Sequence, residues 1–179
     1  MLIRTAVAAS IAALLLLGCA SSPMMKPFDQ TALPSAVQVP AGNSVFLETV
    51  GVGQITYECR AKADMPGAFE WAFVAPVARL MDGGNREVGK YYGGPTWESM
   101  DGSKVMGKQV AVAPASPGNI PLQLVKAEPA MGSGSMTGVT YIQRLNTKGG
   151  VAPAEACNAS MTGMKKQVAY QADYVFYKM

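Results

Sequence analysis

The densest group of side chains able to do chemistry is Tyr91-Tyr92-Gly93-Gly94-Pro95-Thr96-Trp97-Glu98-Ser99-Met100-Asp101-Gly102-Ser103. Aromatic rings beside a carboxylate suit a sugar ring or a cationic group. Gly93-Gly94-Pro95 lets the backbone turn sharply and presents Thr96 and Trp97 from a rigid start. Glu98 and Asp101 are also the minimum carboxylate pair for glycoside hydrolysis. A second polar spot is Arg144, just ahead of Thr147-Lys148-Gly149-Gly150. Arg144 is expected either to pair with Glu98 or Asp101 across a barrel mouth or to clamp a small anion. The candidate ligand-binding set is therefore Tyr91, Tyr92, Thr96, Trp97, Glu98, Asp101 and Arg144, for a small ligand, a glycan or an envelope protein. No catalytic residue is assigned. The alternative is a hydrolase of cell-wall or extracellular carbohydrate, with Glu98 and Asp101 as acid and base. The plainer alternative has Tyr91 and Trp97 plugging the core while Asp101-Gly102 makes the next turn.

The inventory removes much other chemistry. The chain has no histidine, which excludes Ser-His-Asp and Cys-His nucleophiles, histidine-ligated metals and histidine as general base. No cofactor and no metal site is expected. Gly102-Ser103-Lys104-Val105-Met106-Gly107-Lys108-Gln109 imitates a phosphate loop but has Gln109 where the motif needs Ser or Thr, and no strand-loop-helix context. Gly51-Val52-Gly53 and Gly132-Ser133-Gly134 lack the third glycine of a dinucleotide fingerprint. Fifteen basic and twelve acidic residues give a net charge of +3. That is too small and too evenly spread to predict a nucleic-acid partner.

The elements that must position these residues lie behind an address. One basic residue, Arg4, precedes an apolar run from Ala6 to Leu17, then Gly18-Cys19. About a dozen apolar residues suit a secretory signal and fall short of the roughly 20 that span a membrane. Leu16-Leu17-Gly18-Cys19 resembles a bacterial lipobox, so residues 1–18 are expected as a signal peptide and Cys19 as the lipidated N-terminus. The alternative is an ordinary signal cut near Ala20. Residues 19–38, dotted with Pro23, Pro27 and Pro34, are expected as a flexible tether, and 39–179 as the folded domain. Ala20 in place of aspartate after the cysteine favours outer-membrane transfer. Cys59 and Cys157 are then an even pair in an oxidising compartment, and a disulfide is the simplest expectation. Two buried thiols or a shared metal are the other readings.

From there the chain reads as all-β: a single sandwich or barrel-like domain of about nine short, mostly antiparallel strands. Ser44 to Val50 and Gln54 to Arg60 alternate and read as a hairpin turned at Gly51-Val52-Gly53. Phe69 to Phe73 and Val77 to Met81 are separate short strands, since Pro76 stands between them. Arg86 to Tyr92, Lys104 to Val112, Leu122 to Ala127, Gly138 to Leu145 and Gln167 to Tyr177 complete the set. Ala152 to Met164 is the one stretch with room for a short helix.

Gly51-Val52-Gly53-Gln54 with Tyr57 and Cys59, then Gly94-Pro95-Thr96-Trp97-Glu98 with Asp101-Gly102-Ser103, resemble DUF3455, a family of unknown function. Gly138 through Pro153, then Cys157, continue the resemblance, and Tyr170-Gln171-Ala172-Asp173-Tyr174-Val175-Phe176-Tyr177 completes it. It runs from about Val39 to Tyr177. The resemblance implies a secreted or envelope β domain in which the two cysteines recur. It brings no activity. Relatives usually carry histidine where Tyr91 stands and tryptophan where Leu122 stands, so any chemistry of that histidine is absent from this chain.

Overall fold

The computed structural model describes residues 29–179. The expected signal segment, Cys19 and the first part of the expected tether lie outside the described residues. Eight strands follow in chain order: β1 (Ser44–Ala61), β2 (Phe69–Met81), β3 (Glu87–Tyr92), β4 (Thr96–Ser99), β5 (Lys104–Ala113), β6 (Leu122–Ala127), β7 (Val139–Gly149) and β8 (Lys165–Lys178). Each pairs antiparallel with its neighbours, and β8 pairs with β1 to close a barrel. Closure gives every strand a neighbour on both sides, though not along its whole length. The all-β expectation holds, with a barrel rather than a sandwich.

Two expected breaks are not breaks, which takes the nine expected strands to seven, and β4, absent from that expectation, makes eight. Gly51-Val52-Gly53 does not turn; β1 runs straight through it, Val52 pairing with Arg79 on one side and Gln171 on the other. A Cβ on Gly51 would collide with the Tyr174 ring, and one on Gly53 with the backbone at Val77 and Ala78. These glycines allow close approach, the second meaning a glycine has inside a strand. Likewise β2 runs through Pro76. Its register with β3 begins only at Val77↔Tyr92, so Pro76 stands where β2 has a strand neighbour on the β1 side alone. A sheet tolerates proline at such an edge.

The barrel interior is apolar and aromatic, with Ile55, Leu80, Trp97, Ile142, Tyr174 and Phe176 all nearly inaccessible. A second cluster lies on the outer wall, where Val37 and Val39 cover Leu124, Leu145, Val175 and Tyr177. The chain ahead of β1 is a strap. It makes a 3-10 turn at Ser35–Val37 and leaves Val37 fully buried. Gln30 bonds both backbone groups of Val39, at 3.0 and 2.7 Å. The buried Gln143 amide donates to Val37 O at 2.6 Å and accepts from the Tyr177 hydroxyl at 2.6 Å. Burial pushes the Tyr177 phenol up to about 12, so it remains a donor. Each buried valine of the strap contributes on the order of 1.5 kcal/mol. The packed unit thus starts by Gln30 rather than at residue 39, and residues 30–38 of the expected tether are bound to the wall.

Cys59 and Cys157 form a disulfide with a Cα–Cα distance of 5.6 Å. It ties the β7–β8 connection to β1, and the Trp71 indole donates to Glu155 O at 2.9 Å beside it. Closing a loop of sequence separation 98 contributes about 4 to 5 kcal/mol in the chain-entropy picture. In place of the expected helix within Ala152 to Met164 there is one 3-10 turn, Ala159–Met161, capped by the Asn158 side chain.

Candidate functional site

One pair of strands is too short for the barrel it belongs to. β3 meets β2 only from Val77↔Tyr92 to Met81↔Glu87, and β4 meets β5 only from Thr96↔Met106 to Glu98↔Lys104. The first residues of β2, through Pro76, and the last of β5, from Gly107, therefore face each other across a gap above the β3–β4 turn. Both walls of this notch are irregular. The β1–β2 register skips Val74 and the β5–β6 register skips Val110. Bulges of this kind bend a strand and gather at barrel rims. The notch encloses a cavity of about 390 Å³, walled by Phe73, Val74 and Pro76 on one side and by Gly93-Gly94-Pro95 at its lip.

Tyr91, Gln109, Gln123 and Arg144 supply its polar lining. Arg144 lies two residues after the fully buried, interior Ile142 with no register shift between them, so it shares the inward face of β7. Its Nε and Nη2 both donate to Pro121 O, at 3.2 and 2.9 Å. Among the described residues no carboxylate oxygen lies within 4.0 Å of this guanidinium. The expected pairing with Glu98 or Asp101 is not made, because those side chains leave the barrel elsewhere. At the exposed rim Gln123 donates to Gln109 at 2.7 Å.

Below Arg144 the interior carries tyrosines. The Tyr170 and Tyr174 hydroxyls are 3.3 Å apart, and Tyr57 donates to Gly150 O at 2.7 Å. Burial raises the pKa of Tyr57, Tyr91, Tyr170 and Tyr174 alike, while the positive charge of Arg144 pulls each the other way. At neutral pH these phenols are uncharged, and Arg144 is the cation they surround.

The remaining predicted site residues are placed apart from the notch. Trp97 is 1 % exposed. Its ring stacks on Tyr91 at 4.8 Å and meets Tyr174 and Phe176 edge-on. Its indole N–H finds no acceptor among the described residues. It plugs the core beneath Tyr91, and no ligand reaches it. Thr96 is buried and its hydroxyl closes the turn onto Gly93 O at 3.5 Å. Tyr92 and Glu98 lie on the outer wall, where Tyr92 donates to Glu98 at 2.7 Å and Lys90 pairs with the same carboxylate at 3.1 Å. Those two partners, Tyr92 first, hold the Glu98 carboxyl below the usual range.

Asp101 sits at the opposite end of β4 from the notch. It accepts from Ser103 Oγ at 2.6 Å and Ser103 N at 2.9 Å, and from Ser135 N and Oγ, both at 2.7 Å. Ser103 Oγ in turn accepts from Met136 N at 3.1 Å. The hydroxyl of Ser103 leads the causes that push the Asp101 carboxyl far below the ordinary range. A carboxylate so stabilised is a poor base and carries no proton to donate. The corner clasps the loop after β6 to the β4–β5 turn.

Of the seven candidates, then, the fold brings Tyr91 and Arg144 together at one cavity and sends the other five elsewhere. Phe73, Val74, Gln109 and Gln123 complete that cavity and escape a reading of motifs. The sign of them in the sequence is Pro76, the edge residue where β2 loses its β3 neighbour. The sequence model of the family described as "Protein of unknown function (DUF3455)" matches residues 40–178. No curated protein and no solved structure matches the chain.

Proposed function

The chain belongs to the DUF3455 family, which carries no assigned activity, and we propose that it is an envelope-anchored lipoprotein whose barrel binds a small ligand in the notch without catalysis. One observation carries this reading: a 390 Å³ cavity with apolar walls and few converging polar groups, at a gap framed by two bulges. Small-molecule sites have that size and composition, from about 300 Å³ upward. The absence of catalysis is argued from Glu98 and Asp101, whose carboxylates are taken up by Tyr92 and Lys90 and by Ser103 and Ser135.

The anchor rests on Leu16-Leu17-Gly18-Cys19. From Cys19 to Gln30, where the strap is already bound, fully extended chain spans at most roughly 35 to 40 Å. A lipid on Cys19 would hold the barrel close to its membrane, the outer one in this reading. Cys19→Ser is expected to move the protein from the membrane to the soluble fraction, and unchanged partitioning overturns the anchor.

Ligand binding is tested by thermal denaturation of the full chain against a library of small envelope metabolites, glycans and muropeptides. The control is Gln109→Trp, which fills the notch from its exposed rim. A ligand at a hundred times its Kd stabilises the folded state by about 2.7 kcal/mol. The expected result is a raised melting temperature for the wild type and none for Gln109→Trp. No response from any compound, or an equal response from the variant, contradicts a notch ligand.

A further inference from the structure

Resting on the notch as the binding site, we infer that its ligand is an organic monocarboxylate with an apolar body, its carboxylate seated on Arg144. The argument starts from an unfinished account of hydrogen bonds. A guanidinium has five N–H donors in a planar fork. Here two of its nitrogens share one backbone carbonyl, that of Pro121. Arg144 is half-buried, and its bonds to Pro121 O lie at an exposed side of the wall. A partly desolvated cation of this kind is paired most favourably by an anion. No carboxylate of the described chain stands within 4.0 Å to do so. Glu98, the acidic residue nearest in sequence to the notch lip, is paired on the outer wall instead.

The charge state of the surroundings narrows the class. Tyr57, Tyr91, Tyr170 and Tyr174 all feel the charge of Arg144, and as phenols they are neutral at neutral pH, with burial raising each pKa further. The site therefore offers one positive charge. A monoanion neutralises it, whereas a phosphate dianion leaves one charge without a partner in a partly desolvated cavity. The planar fork matches a carboxylate in shape as well as in charge.

The walls say what the carboxylate is attached to. Phe73 is 57 % exposed and Val74 37 %, which for large apolar side chains at a rim is surface left for an occupant. Pro76 and Pro95 continue that surface into the cavity. The hydrogen-bonded Gln109–Gln123 pair adds a single polar stripe. A sugar ring would need more polar partners than this stripe, while an aryl or short alkyl chain needs none.

The probes are benzoate, cinnamate and hexanoate, each beside its neutral amide and with benzylphosphonate as a dianion, titrated calorimetrically into the full chain. Acids are expected to bind the wild type about ten- to a hundredfold more tightly than the amides, the range of a hydrogen bond to a charged group. Arg144→Gln is expected to lose that advantage with an unchanged melting temperature, and Arg144→Lys to keep part of it as a point charge. Amides that bind as well as acids, a phosphonate that binds better, or acids that ignore Arg144→Gln each overturn the monocarboxylate while leaving the notch as the binding site. If acids and amides all fail to bind, this inference falls. The notch reading falls with it only when the wider library of the preceding test also gives no response.

Discussion

The Asp101 corner and the Arg144 notch stand at opposite ends of the barrel and treat a charged side chain in opposite ways. At the corner one carboxylate takes four hydrogen bonds from two serines, and the loop after β6 hangs from it. In the notch one guanidinium has a single backbone carbonyl to answer it and a cavity in front of it. Both were candidates for chemistry by residue type. The difference shows that the type of a charged group says little until its partners are counted: a saturated group holds the fold together, and one with donors left open has capacity for something else.

The contrast is broken or sharpened first at Trp97, which the notch reading makes purely structural. Trp97→Ala is expected to cost about 3 to 5 kcal/mol, read from chemical denaturation. A small loss would return Trp97 to the ligand-contact class. Next comes the brace outside the notch end. Cys157→Ser should lower stability by about 2 to 5 kcal/mol, and mass spectrometry without reduction should find Cys59 joined to Cys157 in the wild type. Equal stability of the variant would mean that β1 and the β7–β8 connection are held by Trp71 and its neighbours alone.

Asp101→Asn is the third perturbation. It should lower the melting temperature by several degrees at neutral pH, since the amide cannot accept four bonds as a carboxylate does. The folded pKa of Asp101 lies below its unfolded value of 3.8. Its stabilisation is therefore complete above that value and is lost as pH falls below it. The gap between wild type and variant should be constant from neutral pH to about pH 5 and shrink with further acidification. A gap independent of pH would take Asp101 out of the knot. The smallest effect belongs to Arg144→Gln, within about 0.5 kcal/mol of the wild type. A loss as large as that of Asp101→Asn would make Arg144 a structural residue, and the two ends would no longer differ.

How much of this is legible in the sequence depends on how local the determining contact is. Alternation along Gln54 to Arg60 and Gln167 to Tyr177 reports a β domain because a strand's two faces are written in adjacent residues. The Cys59–Cys157 pairing follows from arithmetic together with the compartment that residues 1–19 lead one to expect. Gly51 and Gly53 mislead, since a glycine that admits the Tyr174 ring looks the same in sequence as one that turns the chain. The strap is hidden for a related reason: what fastens Gln30 and Val37 to the wall is Gln143, more than a hundred residues away. The candidate site is legible in part. Arg144 stands out as a cation on a strand, but its expected partners Glu98 and Asp101 lie on the outer wall and at the far corner. Gln109 and Gln123 carry no motif at all, and only the shortness of the β3–β4 hairpin makes them neighbours of a cavity.

The most direct test of the two-ended account is a ¹H–¹⁵N spectrum of the full chain titrated with cinnamate. Shifts confined to Arg144 Nε–H, the Gln109 and Gln123 side-chain amides and the Gly93-Gly94 backbone, with Ser103, Ser135 and Met136 unmoved, are the predicted result. Shifts centred on the Asp101 corner, or an Arg144 Nε–H that stays put while other residues respond, would contradict it.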